Sequence, residues 1–303
     1  PGLSGSADLR WSANSPLAAP SVEFDLRSGG EAPLSANLPV KAIVLRGRLS
    51  AGELAVSEGS GAIWGGNIRL SGKASLGAEK PVLDFKGSFS GVSLSEIAGN
   101  MGMPGASSSG SLSGEFAISG KEPQSLSLSV RGTDLSAGGV TVKGLTAKAG
   151  GAFPRLGLTS FSARILNSEL TAEGWIELKK KGKMELSASV TELDLRELTS
   201  ALFPGAGLGG KINGKAVLKG SMGEALSMNF SGTSPLIALH GLLAEKVKFS
   251  FSPDGKGGYS LAAEGKAGES ILAAEGRLAF TGRGVEVFLK NSRKIDLGAT
   301  AAG

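Results

Sequence analysis

The side chains that could do chemistry in this 303-residue chain are few, and their spacing argues against catalysis. His240 is the only histidine, so neither a histidine-based metal site nor a Ser/His/Asp triad has the partners it needs. It falls inside Pro235-Leu236-Ile237-Ala238-Leu239-His240-Gly241-Leu242, the most apolar stretch present, where a structural imidazole is expected. The carboxylates Glu115, Glu173 and Glu275 occupy polar-phase or turn positions and recur along the chain, whereas a catalytic pair is normally unique. Gly65-Gly66 and Gly209-Gly210 lack the Lys-Ser/Thr that a phosphate-binding loop requires. Cysteine is absent, which removes disulfides and thiolate chemistry. The reading is a protein that is no enzyme and uses no metal or cofactor.

Charge gives no stronger lead. The formal charge of +5 is mild, and Lys and Arg are spread singly apart from Lys179-Lys180-Lys181-Gly182-Lys183, which lies between two strand patterns and reads as a solvated hairpin turn. No nucleic-acid partner is expected. No apolar run reaches the length of about eighteen residues that a membrane-spanning helix requires.

What the chain does carry is a repeat. Gly110, Gly114, Gly120 and Gly132 fall on Gly210, Gly214, Gly220 and Gly232 at a constant shift, and the apolar positions follow in register. Leu112 falls on Ile212, Ile118 on Leu218, Leu126 on Leu226, Leu128 on Met228 and Val130 on Phe230. Flanking matches extend the period: Ile63 to Gly72 aligns with Ile165 to Gly174, and Ala274-Glu275-Gly276 repeats Ala172-Glu173-Gly174. Leu3-Ser4-Gly5 resembles Leu112-Ser113-Gly114 and Ile212-Asn213-Gly214. We therefore read one continuous array of three copies, residues 1–105, 106–206 and 207–303, forming a segment of a longer array.

Within each copy the pattern alternates. Val22-Glu23-Phe24-Asp25-Leu26-Arg27, Leu126-Ser127-Leu128-Ser129-Val130-Arg131, Met184 to Thr191 and Val247-Lys248-Phe249-Ser250-Phe251-Ser252 have strict period two. That pattern specifies half-buried antiparallel strands with one apolar and one wet face. Gly138-Gly139, Gly150-Gly151 and Asp254-Gly255 are expected breaks between strands. One short helix interrupts each copy. Ser93 with Glu96, and Asp194 with Glu197, have capping-box spacing. Leu94, Ile97 and Met101, then Leu195, Leu198 and Leu202, form one-sided stripes, and Pro104-Gly105 and Pro204-Gly205 are the expected stops. Ile295-Asp296-Leu297 opens a third instance. Each helix is expected to cap the end of a sheet segment, or alternatively to gate a ligand path.

The fold expected is all-β: a mainly antiparallel meander of roughly twenty strands, with short helices between repeats. Twisted sheets rarely stay open and flat beyond about ten strands, so a meander this long must curl. A parallel β-helix has too short a coil period, and a membrane barrel would need aromatic girdles that one Tyr and three Trp cannot supply. The remaining form is a repeating β-groove, a U-shaped trough with an apolar interior. Its expected lining is Leu83, Phe85, Leu126, Leu128, Val130, Leu186, Val190, Leu226, Met228, Phe230, Val247, Phe249 and Phe251. A sixteen-carbon acyl chain would gain on the order of 10 kcal/mol in such a trough, at about 0.8 kcal/mol per methylene. A passive lipid conduit is the function expected; a structural β-scaffold or surface adhesin with a filled interior is the alternative.

The alternating, Gly-punctuated strands, the Leu-Asp-Leu-Arg-Glu-Leu run at 193–198 and Gly-Lys-Ile-Asn-Gly-Lys-Ala-Val-Leu-Lys-Gly at 210–220 together resemble the AsmA-like family of bacterial bridge-like lipid transfer proteins. The resemblance covers nearly the whole chain and implies phospholipid as cargo and a role in outer-membrane biogenesis. It also implies a periplasmic location in a Gram-negative bacterium. An inner-membrane anchor and an outer-membrane partner protein would lie outside this segment.

Overall fold

In a computed structural model of the chain, residues 6–11, 21–27, 40–77, 79–100, 108–137, 140–179, 181–202, 207–221, 226–239, 241–255, 258–281 and 284–291 are described. They form eighteen strands and two short helices. The chain separates into two compact units. The first is built on β1 (Ser6–Trp11), β2 (Ser21–Arg27), β3 (Val40–Ser50), β4 (Glu53–Ile63), β5 (Gly66–Ser75), β6 (Val82–Ser93), α1 (Leu94–Asn100), β7 (Ser108–Gly120) and β8 (Ser125–Ala137). β9 (Val140–Ala152) and β10 (Arg155–Ile165) contribute residues to both units. The second unit is built on β11 (Ser168–Glu177), β12 (Lys183–Asp194), α2 (Leu195–Leu202), β13 (Leu208–Ser221), β14 (Ser227–Leu239), β15 (Leu242–Pro253), β16 (Tyr259–Ala267), β17 (Ser270–Thr281) and β18 (Gly284–Asn291).

Within each unit every strand pairs antiparallel with its neighbour in sequence: β1 to β8 in the first, β11 to β18 in the second. The all-β meander is what the period-two pattern dictates, and neither run closes into a barrel. The element order also recurs: β3 to β8 with α1 before β7, then β9 to β14 with α2 before β13. The matching extends to backbone detail. The β4–β5 turn has positive φ at Trp64 (45°) and Gly65 (72°), and the β10–β11 turn repeats this at Leu166 (52°) and Asn167 (73°). Two consecutive left-handed residues define the hairpin turn whose twist matches the strands, and Gly and Asn carry that conformation most cheaply. Ladder irregularities recur as well, between Phe89 and Val92 in one copy and between Val190 and Leu193 in the next.

Two expectations need correcting. Gly150-Gly151 does not break a strand; β9 runs through it and turns at Phe153-Pro154, because glycine here accommodates an extended ladder with no side chain to place. The helices form where expected, but the capping boxes close only halfway. The Ser93 hydroxyl accepts from Glu96 N–H at 3.5 Å, while the Ser93 N–H donates to the Trp64 carbonyl at 2.8 Å and so has nothing left for Glu96. The Asp194 carboxylate accepts from Arg196 and Glu197 N–H at 2.8 and 3.3 Å, and the Glu197 carboxylate accepts from the Asn167 amide at 3.3 Å. Glu197 thus reaches the preceding turn and ties α2 to the sheet, whereas the Glu96 carboxylate only lies beside the equivalent turn at Gly65. Leu3–Gly5, Met101, Pro104-Gly105, Gly138-Gly139, Lys180, Pro204-Gly205, His240 and Ile295–Leu297 lie outside the described residues.

Candidate functional site: one apolar sheet face

Cross-strand register decides which side chains share a face, since directly opposed residues point the same way. In the first unit Phe85 lies opposite Gly72 and Ile118, and Ile118 lies opposite Leu126. Gly87 lies opposite Phe116, which faces Leu128; Phe89 lies opposite Gly114, which faces Val130; Leu83 lies opposite Ala74. Leu83, Phe85, Leu126, Leu128 and Val130 therefore belong to one face. In the second unit Leu170, Val190, Gly214, Gly232, Phe249 and Ala263 form one continuous cross-strand row. Ala172, Ala188, Ala216, Phe230, Phe251 and Leu261 form the next, and Leu186, Leu218 and Met228 a third. Val247 lies opposite Ser234 on this side, and Leu226 immediately precedes β14.

Sequence reasoning missed a recurring pair on this face: a phenylalanine directly opposite a glycine. Phe24 faces Gly47, Phe85 faces Gly72, Phe116 faces Gly87, Phe89 faces Gly114 and Phe249 faces Gly232. The ring lies over its glycine so closely that a Cβ on Gly87 would stand 2.5 Å from Phe116 Cζ, and one on Gly114 2.7 Å from Phe89 Cζ. The signal exists in the sequence as Phe and Gly both in apolar phase, but it becomes legible only with the register. In the second unit the rings also meet each other, with Phe230 and Phe251 stacked at 4.9 Å and Tyr259 edge-on to Phe251 at 5.9 Å.

The face is only half covered. Of the thirteen expected lining residues Val247 alone is buried, at 7% exposure, and Leu226 is 39% exposed; the others lie between. Across all described residues eleven apolar side chains are buried, mostly where strands end near a helix. One such cluster joins Val40, Ile63 and Val92, with Ile43, Trp64, Ile68, Phe89, Leu112 and the α1 residue Ile97 packed against it. α2 does the same in the second unit through Leu195, while the Thr199 hydroxyl donates within the helix to the Leu195 carbonyl at 2.7 Å and has the Leu208 carbonyl as a longer contact at 3.3 Å. Each helix covers one margin of the apolar face and leaves the middle open.

The opposite face is charged and hydroxylated. Arg46 bridges Asp25 at 3.1 Å and Glu58 at 2.7 Å, Lys73 pairs with Glu53 and Lys219 with Glu185, and Arg277 pairs with Asp254. The Asp25 carboxyl is held below its ordinary value by the hydrogen bond from Arg27, against some desolvation, with Arg46 adding to the effect. Glu115, Glu173 and Glu275 are exposed on this side. Residues of this side also contribute to two hollows. One of about 1530 Å³ in the first unit presents Ser60, Arg69, Lys86, Ser88, Glu115 and Ser129, and one of about 780 Å³ in the second presents Ser189, Lys215, Ser231, Lys248, Glu264 and Glu275. Residues of both phases line them, Phe116 and Leu128 in the first and Val190 and Phe249 in the second. Both hollows are of mixed lining, whereas the Phe- and Leu-bearing face presents continuous apolar rows to an acyl chain.

Among the described residues no cluster of three His, Asp or Glu side chains could hold a metal ion, and no helix is long and apolar enough to cross a membrane. No protein-family model, no curated protein and no solved structure matches this chain.

Proposed function

We propose that this chain is a segment of a lipid-transfer conduit of the AsmA-like kind, passing phospholipid acyl chains along the apolar face between the inner and outer membranes. The observation that carries the reading is the uninterrupted apolar row running across consecutive strands while its side chains stay half-exposed. A protein that needed this face only as a core would cover it, because leaving Leu and Phe side chains in water forfeits about 1.5–3 kcal/mol each. Acyl chains supply the missing cover without demanding directional contacts. Because the lining is similar from strand to strand, a bound chain gains much the same energy at each station and meets no deep trap, which suits passage better than storage. In the Phe–Gly pairs each ring lies close against a glycine of the next strand. The anchor, the outer-membrane partner and the periplasmic location belong to the same proposal.

Native mass spectrometry of the purified chain tests it. Mass increments matching diacyl phospholipid, retained after detergent-free purification, are the expected result; a chain that stays lipid-free after incubation with phospholipid vesicles contradicts the reading.

A further inference from the structure

We infer that the α1 end of the first unit is a lipid port, in which α1 is a displaceable cover and the Trp64 indole N–H receives an ester carbonyl of a diacyl lipid. The inference rests on the lipid-binding reading above and adds a place and a chemistry to it. Two buried polar atoms among the described residues have no hydrogen-bond partner, Trp64 Nε1 and Ser108 Oγ. Both belong to the α1 end of the first unit: Trp64 in the turn whose carbonyl accepts from Ser93, and Ser108 at the start of β7, which follows α1. A buried donor without an acceptor is an uncompensated loss of hydration and calls for an explanation.

The second copy serves as an internal control. At the shifts that align the copies, Trp64 corresponds to Leu166 and Ser108 to Leu208, so both polar atoms are replaced by hydrocarbon there. The helix tethers differ in the same sense. Glu197 of α2 is held by the Asn167 amide, and the Thr199 hydroxyl, which donates to Leu195 in its own helix, also lies 3.3 Å from the Leu208 carbonyl. In the first copy Gly65 and Ala98 stand at the equivalent positions and have no side-chain group to offer. No residue of α1 is buried. α2 thus has a side-chain tether and a buried Leu195 over an apolar end, while α1 has neither and lies over an end that contains an unused donor. Lifting α1 withdraws Ile97 from the Val40–Ile63–Val92 cluster against which Trp64 also packs.

An indole N–H only donates, so the group it takes is an oxygen acceptor. The Glu96 carboxylate lies beside this turn, 2.9 Å from the point a Cβ on Gly65 would occupy, and it repels a phosphate. A neutral ester carbonyl, located where acyl chain meets glycerol, suits both the donor and the apolar face that begins here.

Two phospholipids with the same headgroup and chain length, one ester-linked and one ether-linked, separate this inference from the general one. The wild-type chain is expected to bind the ester lipid about three- to tenfold more tightly, the span of one hydrogen bond. Trp64→Phe should abolish that preference and leave ether-lipid affinity unchanged. Equal binding of both lipids by the wild type, or an unchanged preference in Trp64→Phe, overturns the port while the apolar conduit stands. Binding of neither overturns both. Should Trp64→Phe fold poorly, the Trp11→Phe/Trp175→Phe protein reports on Trp64 directly. Its indole emission should shift with the ester lipid and not with the ether lipid, and identical responses overturn the assignment.

Discussion

A phenylalanine ring lying over a glycine on the next strand is the smallest device on the apolar face, and it makes the glycine irreplaceable. A Cβ on Gly114 would stand 2.1 Å from the Ser129 carbonyl oxygen and 2.7 Å from Phe89 Cζ, so the backbone itself must move. Gly114→Ala is expected to cost about 1–3 kcal/mol in denaturant unfolding, whereas Gly77→Ala, with open space around the added methyl, should be near neutral. On the wet face Asp25 sets a pH dependence. Its carboxyl is held low by Arg27 and then Arg46, so its contribution is complete above the ordinary value of 3.8 and is lost as pH falls through the depressed one. Asp25→Asn should flatten the acid limb of the unfolding midpoint below that pH and leave the neutral limb unchanged. At this scale the sequence was legible for phase: register places Leu83, Phe85, Leu126, Leu128 and Val130 on one sheet face of the first unit. It was not legible for pairing, since Phe24, Phe89 and Phe116 acquire their role only from the glycine that register places opposite them.

Strands and helices follow from patterns that local physics controls. Period two over Leu126–Arg131 and Met184–Thr191 places both segments in strands, and Ser93 and Asp194 start the helices as short polar caps do. What the sequence did not reveal was the destination of Glu96 and Glu197, because the competing acceptor and donor lie in turns about thirty residues earlier. The place of the hollows was equally hidden: alternation assigns side chains to faces, and only the assembled ladder brings Lys86, Ser88 and Ser129, or Lys215 and Ser231, around one hollow. Met228→Arg tests whether the apolar face of β14 is open. On an open face the guanidinium reaches water while its methylenes stay on the wall, so stability should fall by only about 1 kcal/mol. Lipid transfer between vesicles should fall far more, and Ser227→Arg on the wet side should change neither. Outright unfolding of Met228→Arg would mean a filled interior; unchanged transfer would mean that no lipid passes this strand.

For the whole molecule the account makes one claim: acyl chains travel on the apolar phase of the strands and not on the other. Glycine and leucine spacing announced the recurrence of element order that β3 to β8 and β9 to β14 display, and phospholipid as cargo is part of the proposal. Photo-crosslinking by phase is the most direct measurement. Crosslinkers placed singly at Leu126, Leu128, Val130, Leu226, Met228 and Phe230 should capture phospholipid, and those at Ser127, Ser129 and Ser227 should not. Equal labelling of the two phases, or labelling confined to the serines, would contradict the account.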